Sequence, residues 1–459
     1  MRIVVIIVLF CPVLLAGNTC TDANGLIDYV SIYNIESRPK DYRPENNAAE
    51  YYQKAISLFV EAPDEIRNEN LKVWPADLPD EKAQIIKQWI KRNDPALAHL
   101  SASAEKPFLW MERTSSDGSV LGILMPELAK MRNLADLLCY KAKLAAIEGK
   151  FNEAAEEICA VYKIGEHYTE PVTMVEQAVG TGFKSYAIET ALTIMGEVKT
   201  TKKDRELLFD SLKKHIKEEN FQPDIMVLRL IALDCLQRMY VLNEESRRIL
   251  SETEARRQLA MLNLHAQGLV MLSGISAGEH YKSDFTGISY QQAEDLLLGG
   301  LEDLKKVTVL DAWQINEMIN TENSVLQKIQ KAHPVLNTLA LTAVNIKLAA
   351  YERLRAQVYC LKIINAVLDF RETTGQLPVN SDELKNVSLL QKIPIDPFSG
   401  KKMKYERVND DFTVYSYDID FDDDNGKSRA FGDFMFGGQD GDLVVWPAKK
   451  LEDAAFKRK

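Results

Sequence analysis

One long run of helical periodicity does most to limit what this chain can fold into. Between Leu336 and Phe370, large apolar residues recur at three- and four-residue steps, the spacing that gives an α-helix one apolar face. They are Leu341, Val344, Leu348, Tyr351, Leu354, Val358, Leu361, Ile364 and Leu368. A continuous helix over this run is about 50 Å long at ~1.5 Å per residue. We therefore expect its first part to pack among other helices and its last part to support a small C-terminal domain.

The preceding region, residues 25–335, is predicted to be helical throughout. Its apolar residues follow helical spacing in successive segments, and nothing in it alternates long enough to form a sheet. A chain of 459 residues also exceeds the usual size of a single core, so two domains are expected. We predict a mainly α protein in which residues 25–335 form a helical array or bundle.

The clearest local signal in this region is a helical hairpin around Gly149. Apolar and small residues precede the glycine at helical spacing, and a second apolar run follows it from Phe151 to Tyr162. The first run comprises Leu128, Met131, Ala135, Leu138, Ala142 and Ala145. Alanines that face large side chains let two helices approach closely, and this pair resembles a tetratricopeptide (TPR) repeat. Because we find one convincing copy, we expect a TPR-like hairpin within an array and not a regular solenoid.

Residues 336–448 are predicted to form a small α+β module, followed by a mixed-charge tail at 449–459. The sequence Gly375–Pro378 breaks the long helix, and short alternating segments follow it. The predicted strands are Met403–Val408, Phe412–Tyr417 and Leu443–Trp446. The first two flank Asn409-Asp410, which is typical of a β-hairpin turn. We expect a small antiparallel sheet packed on the end of the long helix.

Residues 1–17 are predicted to be a signal peptide. Arg2 supplies a basic start, Ile3–Leu15 an apolar run and Ala16-Gly17 small residues for cleavage. The apolar run of about 13 residues is shorter than the ~20 that cross a membrane as a helix. We therefore expect export to the periplasm or the cell exterior, with no membrane span in the mature chain. An uncleaved N-terminal anchor is the alternative.

The net charge of the chain limits which classes of partner it can bind. A formal net charge of -11 argues against nucleic acid or an anionic membrane surface as the main partner.

Cleavage of the signal leaves an odd, scattered set of cysteines, which is not a disulfide framework. Cys139 and Cys159 lie about equally far from Gly149. They either form a bridge across the hairpin or remain two buried thiols.

An acidic loop at Asp418–Gly426 is the candidate metal site. Its oxygen-bearing side chains are Asp418, Asp420, Asp422, Asp423, Asp424 and Asn425. Calcium binds about six to eight oxygen ligands, and alternating aspartates can turn several carboxylates towards one centre. The loop is not an EF-hand, because Asn425 takes the place of the glycine and Phe431 that of the glutamate. We expect a calcium site, and a solvated acidic loop is the alternative.

The order of the C-terminal signals resembles the globular part of the major pseudopilin of type II secretion systems. The resemblance is carried by Leu377-Pro378, Ile395-Asp396-Pro397, Tyr415-Ser416, the acidic loop, and Asp440-Gly441-Asp442-Leu443 before Trp446. In that family the acidic loop binds calcium, and the resemblance implies ligands at Asp420, Asp440 and Asp442. With the pattern of the loop itself, the predicted ligand set is Asp418, Asp420, Asp422, Asp424, Asp440 and Asp442.

Two features depart from the pseudopilin pattern. Pseudopilins begin with a leader and an apolar N-terminal helix, whereas the long helix here is internal, so ordinary pilus assembly is not expected. Asp418 also occupies a place where that family prefers glycine. The whole chain is similar to uncharacterised exported helical proteins of planctomycete-type bacteria that end in this module.

The sequence carries no familiar catalytic signature. It contains no GxSxG, Walker or Rossmann pattern, and its six histidines make no HExxH pair. We expect an exported, non-enzymatic interaction or structural protein with a protein or peptide partner and a calcium-braced C-terminal module. A hydrolase with an unrecognised site in the helical domain and a secretion-system component are the alternatives. Six aromatic residues either line a partner groove or belong to the core: Tyr51, Tyr52, Trp74, Trp89, Trp110 and Tyr162.

Overall fold

The computed structural model describes residues 26–67, 71, 74–169, 173–217, 221–243, 245, 247–273, 287–386, 390–427 and 441–447. The predicted signal peptide and the predicted tail lie outside these residues. So do Cys11, Cys20 and the predicted calcium ligand Asp440. The predictions that concern them remain predictions.

Within the described residues the protein is mainly helical, as predicted. The helices before the long one are α1 Tyr29–Glu36, α2 Ala49–Leu58, α3 Asp80–Ser103, α4 Leu128–Ile147, α5 Phe151–His167, α6 Met174–Glu197, α7 Lys202–Lys213, α8 Met226–Met239, α9 Glu252–Ser273, α10 Tyr290–Thr308, α11 Ala312–Ile319 and α12 Val325–Ala332. Of the described helices, none is both long enough and apolar enough to cross a membrane.

Helices α4 and α5 form the predicted hairpin, with Gly149 in the left-handed conformation at the turn (φ 75°). Helix α5 then packs on α6 at a close crossing. A Cβ atom on Gly165 would lie 2.6 Å from the carbonyl oxygen of Gly180, so only glycine fits there. No disulfide joins Cys139 and Cys159, and both carry reduced thiols.

One local prediction in the helical half was wrong. Residues 240–250 form a two-stranded antiparallel hairpin, β1 Tyr240–Leu242 and β2 Arg248–Leu250, although no sheet was expected there. Three-residue strands are too short to give a recognisable alternation. Helix α3 continues through Pro95 to Ser103, although a proline inside a helix usually interrupts it. Burial of Leu97 and Leu100 stabilises this extension in spite of the proline.

The long helix runs from Pro334 to Thr374 in three segments. They are α13 Pro334–Ile346, a π-helical segment Lys347–Glu352 and α14 Arg353–Thr374. Helix α13 packs on α9, α10 and α12, whereas α14 packs on α6, on α7 and on two strands of the C-terminal sheet. The long helix therefore connects the helical array to the sheet, and Gly375 ends it in the left-handed conformation (φ 73°).

The π-helical segment, which the sequence periodicity did not reveal, contains buried charges. Lys347 and Glu352 are 1% and 0% exposed, and their Nζ and Oε1 atoms lie 2.5 Å apart. Arg355 pairs with the second oxygen of Glu352 at 2.5 Å and with Asp311 at 2.8 Å. Burial lowers the pKa of Lys347 and raises that of Glu352, so each charge in this cluster depends on its partners.

The C-terminal module has the predicted form. A short helix, α15 Glu383–Asn386, precedes β3 Lys404–Val408, β4 Asp411–Ser416 and β5 Leu443–Trp446, which form an antiparallel sheet in the order β3-β4-β5. The β3–β4 turn lies at Asn409-Asp410, as predicted, with Asn409 in the left-handed conformation (φ 56°). The Phe412 and Trp446 rings stack at 5.5 Å, and Trp446 also reaches Gly196 of α6. The acidic loop lies between β4 and β5.

Candidate metal centre

The acidic loop folds back on itself because several residues adopt left-handed backbone conformations. Asp418–Asp420 form a 3₁₀ turn in which Asp418 has φ 61°, and Phe421 follows with φ 66°. Asn425 and Gly426 reverse the chain again, with φ 55° and 72°. The ring of Phe421 packs on Phe398 at 5.8 Å, which fastens the loop to the core. Successive turns of this kind bring carboxylates that are separated in sequence to one side.

Asp418 is held by an arginine and not by the other aspartates. Arg353, at the start of α14, donates from Nε to Oδ1 (2.6 Å) and from Nη2 to Oδ2 (2.9 Å). Their side chains are 12% and 4% exposed, so this bidentate pair is largely removed from water. The pair fixes an aspartate in a backbone conformation that glycine adopts more easily.

Asp423 has partners of its own on β3 and at the end of β4. Its carboxylate lies 2.7 Å from Lys404 Nζ and accepts hydrogen bonds of 3.1 Å from the hydroxyls of Tyr415 and Tyr417. Burial opposes ionisation, but these partners hold the pKa of Asp423 below its usual value. Asp423 is not among the three aspartates whose carboxylates converge, although its charge raises the pKa of Asp442.

Three of the predicted ligands do converge. One carboxylate oxygen from each of Asp420, Asp422 and Asp424 lies within 4.8 Å of the others. Asp422 is exposed, whereas Asp420 and Asp424 are partly buried. Oxygens at such separations can bind one cation in common.

Asp442 immediately precedes the last strand and lies beside the acidic loop. Its side chain is 1% exposed and accepts a 2.7 Å hydrogen bond from the Gly426 amide at Oδ2. The Gly441 amide in turn donates to Asp420 Oδ2 (2.8 Å). These two bonds join the loop to the start of β5 and place Asp442 beside the loop, next to the three carboxylates that converge.

Among the described residues, three buried carboxylate oxygens of the loop and of Asp442 have no hydrogen-bond donor. They are Asp420 Oδ1, Asp424 Oδ2 and Asp442 Oδ1. Burial raises the pKa of Asp420 to about 6 and that of Asp442 to about 7, and neighbouring aspartates reinforce both shifts. Carboxylates in this state bind either protons or a cation, and their hard oxygens suit calcium. The three converging carboxylates could therefore hold a cation.

The buried Asp396 joins the segment that precedes β3 to the end of β4. Asp396 is 1% exposed, and its carboxylate accepts hydrogen bonds from the hydroxyls of Ser416 (2.5 Å) and Ser399 (2.7 Å). The backbone amide of Tyr417 also donates to it at 3.4 Å. Asp396 therefore positions the end of β4, from which the acidic loop begins.

The helical half contains a separate groove with a volume of about 460 Å³. Its lining includes Tyr42, Gln53, Trp110, Glu112, Arg113 and Glu127. The rings of Tyr42 and Trp110 meet edge to face at 5.3 Å, and the guanidinium of Arg38 lies 4.0 Å from the Tyr42 ring centre. Most of the other aromatic residues singled out in the sequence belong to the core, namely Tyr52, Trp74, Trp89 and Tyr162.

The chain was compared with protein-family models, with curated proteins and with solved structures, and none of the three comparisons gives a significant match. The likeness of the C-terminal module to pseudopilins therefore rests on the residues quoted above.

Loss of the Arg353 side chain is expected to destabilise the module more than loss of an exposed arginine on the same helix. Arg353→Gln leaves Asp418 buried without its cation, so the free energy of unfolding should fall by about 3–5 kcal/mol. The matched control is Arg371→Gln, because the ion pair of Arg371 with Asp411 is 3.9 Å long and about half exposed. The control should change the free energy by less than about 1 kcal/mol in urea unfolding. Equal losses in the two variants would contradict this role of the Arg353–Asp418 pair.

Proposed function

We propose that this chain is an exported, non-enzymatic interaction or structural protein whose C-terminal module is braced by one calcium ion. The observation that carries the proposal is the convergence of Asp420, Asp422 and Asp424 beside the buried Asp442. These four residues would hold the ion, and Asp418 would act indirectly by fixing the loop to Arg353. The ion would neutralise carboxylates that otherwise repel one another and would tie the loop to β5.

The position of the loop in the fold is consistent with an ion that stabilises the sheet. The last strand, β5, is connected to β4 through the acidic loop, and Asp442 immediately precedes it. A cation shared by the loop and Asp442 would therefore hold β5 against β4. Because α14 packs on both strands, the ion would also stabilise the junction between the module and the helical array.

A protein or peptide partner is proposed for the groove beside Trp110. Aromatic rings next to charged and amide groups are typical of surfaces that bind proteins. The Asn47 amide is hydrogen-bonded to both the backbone N–H and the carbonyl of Trp110 (2.9 and 2.8 Å), so this wall of the groove is rigid. The alternative of a secretion-system component would place that partner among secretion proteins, and it rests on the pseudopilin resemblance alone.

Calcium is expected to raise the melting temperature of the wild-type protein and to have little effect on Asp420→Ala. At about one hundred times its dissociation constant, an ion that binds only the folded state stabilises it by about 2.7 kcal/mol. The matched control is Asp410→Ala, which removes an exposed carboxylate from the β3–β4 turn of the same module. Thermal unfolding in calcium and in chelator measures the difference. If Asp420→Ala responds to calcium as the wild type does, the proposed ligand set is wrong.

The stability of the calcium-free protein is expected to fall as the pH rises from about 4 to about 7. In this range Asp420 and Asp442 retain protons in the folded state after the unfolded chain has lost them, because their folded pKa values are raised to about 6 and about 7. A folded state that binds more protons loses stability as pH increases.

Asp442→Asn resembles the protonated side chain and isolates this effect. In chelator, the variant should melt above the wild type near pH 8 and should match it near pH 4. In saturating calcium near pH 8, the order should reverse, because the neutral amide oxygen of the variant binds the ion more weakly than a carboxylate does. Melting curves at the two pH values, in chelator and in calcium, test both predicted orders of melting temperature. A variant that melts below the wild type in chelator near pH 8 would contradict the account.

Partner binding is expected to depend on Trp110. In a pull-down from the exported fraction of the source organism, the full chain should retain a protein that Trp110→Ala loses. Leu242→Ala, which removes an apolar side chain that is 64% exposed on another surface, is the control and should retain it. The melting temperatures of both variants show whether the fold is intact. No retained protein, or one retained equally by Trp110→Ala, would count against the groove as the partner site.

A further inference from the structure

The groove beside Trp110 is lined by a short stretch of main chain that pairs with nothing else in the described part of the chain. The stretch lies between Phe108 and Ser115, each of which forms an isolated β-bridge. Within it, the N–H and C=O groups of Met111 and Glu112 have no hydrogen-bond partner among the described residues. Both residues line the groove, so this main chain is available to pair with an added strand.

The neighbouring hydrogen bonds show which edge of this segment faces the groove. The Asn47 side chain bonds to the N–H and C=O of Trp110, and the C=O of Thr114 accepts a 3.1 Å bond from the Leu124 amide. Alternate residues of a strand turn these groups to the same edge, so Glu112 presents its own on the edge used by Trp110 and Thr114. Because Asn47 and Leu124 both line the groove, the groove follows that edge.

The segment is held in place on both sides of Glu112. The Asn34 side chain bonds to the N–H and C=O of Arg113 (2.7 and 2.9 Å), as Asn47 does for Trp110. The Arg113 guanidinium is anchored in turn by the carboxylates of Glu127 and Glu176. A main chain fixed in this way is preorganised, which lowers the entropic cost of pairing with a ligand.

The charges of the groove favour a cationic ligand. The Glu112 side chain is exposed and forms no ion pair with another described residue. Arg113 is already neutralised, because it lies between the two carboxylates of Glu127 and Glu176. Outside the lining, the guanidinium of Arg38 lies against an aromatic ring. A cation placed beside Glu112 would therefore pair with a carboxylate that has no other partner.

The same lining offers apolar surface. It includes Trp110, Met111 and Leu124, and the Leu124 side chain is 54% exposed. Because successive side chains of a strand point to opposite faces, an added strand with apolar residues at every second position could bury them on this surface.

We propose that the partner segment is an extended basic peptide that adds as a strand beside Glu112. It places apolar side chains against Trp110 and Leu124, and a lysine or arginine beside the Glu112 carboxylate. Main-chain hydrogen bonds supply affinity, and the cation and apolar side chains supply specificity. The inference rests on the proposed function of this groove as the partner site and states the chemistry of the ligand.

A library of random ten-residue peptides displayed on phage tests the charge preference. Peptides retained by the full-length protein and lost with Trp110→Ala should contain lysine or arginine, with apolar residues at two-residue spacing. Glu112→Lys should select aspartate or glutamate in place of the cation. Glu322→Lys reverses an exposed charge between α11 and α12, so this matched control should select the wild-type sequences. Glu112→Lys keeps the test valid if Trp110→Ala does not fold.

An N-methyl scan of one selected peptide tests the main-chain pairing. Methylation of the amide that donates to Glu112 should weaken binding about tenfold, whereas methylation one residue further along should have little effect. Fluorescence anisotropy of the labelled synthetic peptides measures the dissociation constants. The effect should therefore alternate along the peptide near the residue that pairs with Glu112.

Four results would overturn the proposal: no selected peptide, selected sequences without a cation, the same sequences on Glu112→Lys, or an N-methyl scan without alternation. The pull-down separates these results from failure of the partner site itself. If it still retains a protein that Trp110→Ala loses, the groove remains the partner site and only the extended basic ligand is wrong.

Discussion

The bidentate pair between Arg353 and Asp418 is the contact on which the geometry of the acidic loop depends. It joins the first residue of α14 to the first residue of the loop, and it lies where little water reaches it. Because α14 also packs on α6 and α7, the pair connects the loop to the helical array through one rigid element. The position of the remaining carboxylates follows from this anchor and from the left-handed turns that come after it.

The loop divides its aspartates between two kinds of partner. Asp418 pairs with Arg353, and Asp423 pairs with Lys404. Asp420, Asp422 and Asp424 converge with one another instead, and Asp442 adds a buried carboxylate beside them. A solvated acidic loop would not need buried acceptors without donors, whereas a cation would satisfy them. This contrast is the physical basis of the calcium proposal.

Features that depend on local periodicity could be predicted from the sequence, and features that depend on long-range contacts could not. The α4–α5 hairpin, the strand Leu443–Trp446 and the turn at Asn409-Asp410 follow from spacing and turn residues. The continuation of α3 through Pro95 depends on burial against other helices, which no local rule contains. Arg353 and Asp418 are 65 residues apart, so their pairing leaves no trace in the pattern of the loop.

The candidate metal site was predicted in composition but not in arrangement. The sequence pattern placed the aspartates of the loop in one group, because it counts oxygens and cannot show where each side chain points. Backbone conformation separates them, since φ changes sign at Asp418, Phe421 and Asn425.

A calorimetric titration of calcium into chelator-treated protein tests the central claim most directly. The account predicts one saturable site per chain, with far weaker binding of magnesium, because magnesium requires a smaller and more regular set of ligands. Binding of calcium with this stoichiometry would establish the acidic loop and Asp442 as a structural metal centre if Asp442→Asn weakened it. The absence of saturable binding in the wild-type protein would contradict the account and would leave the loop as a solvated turn.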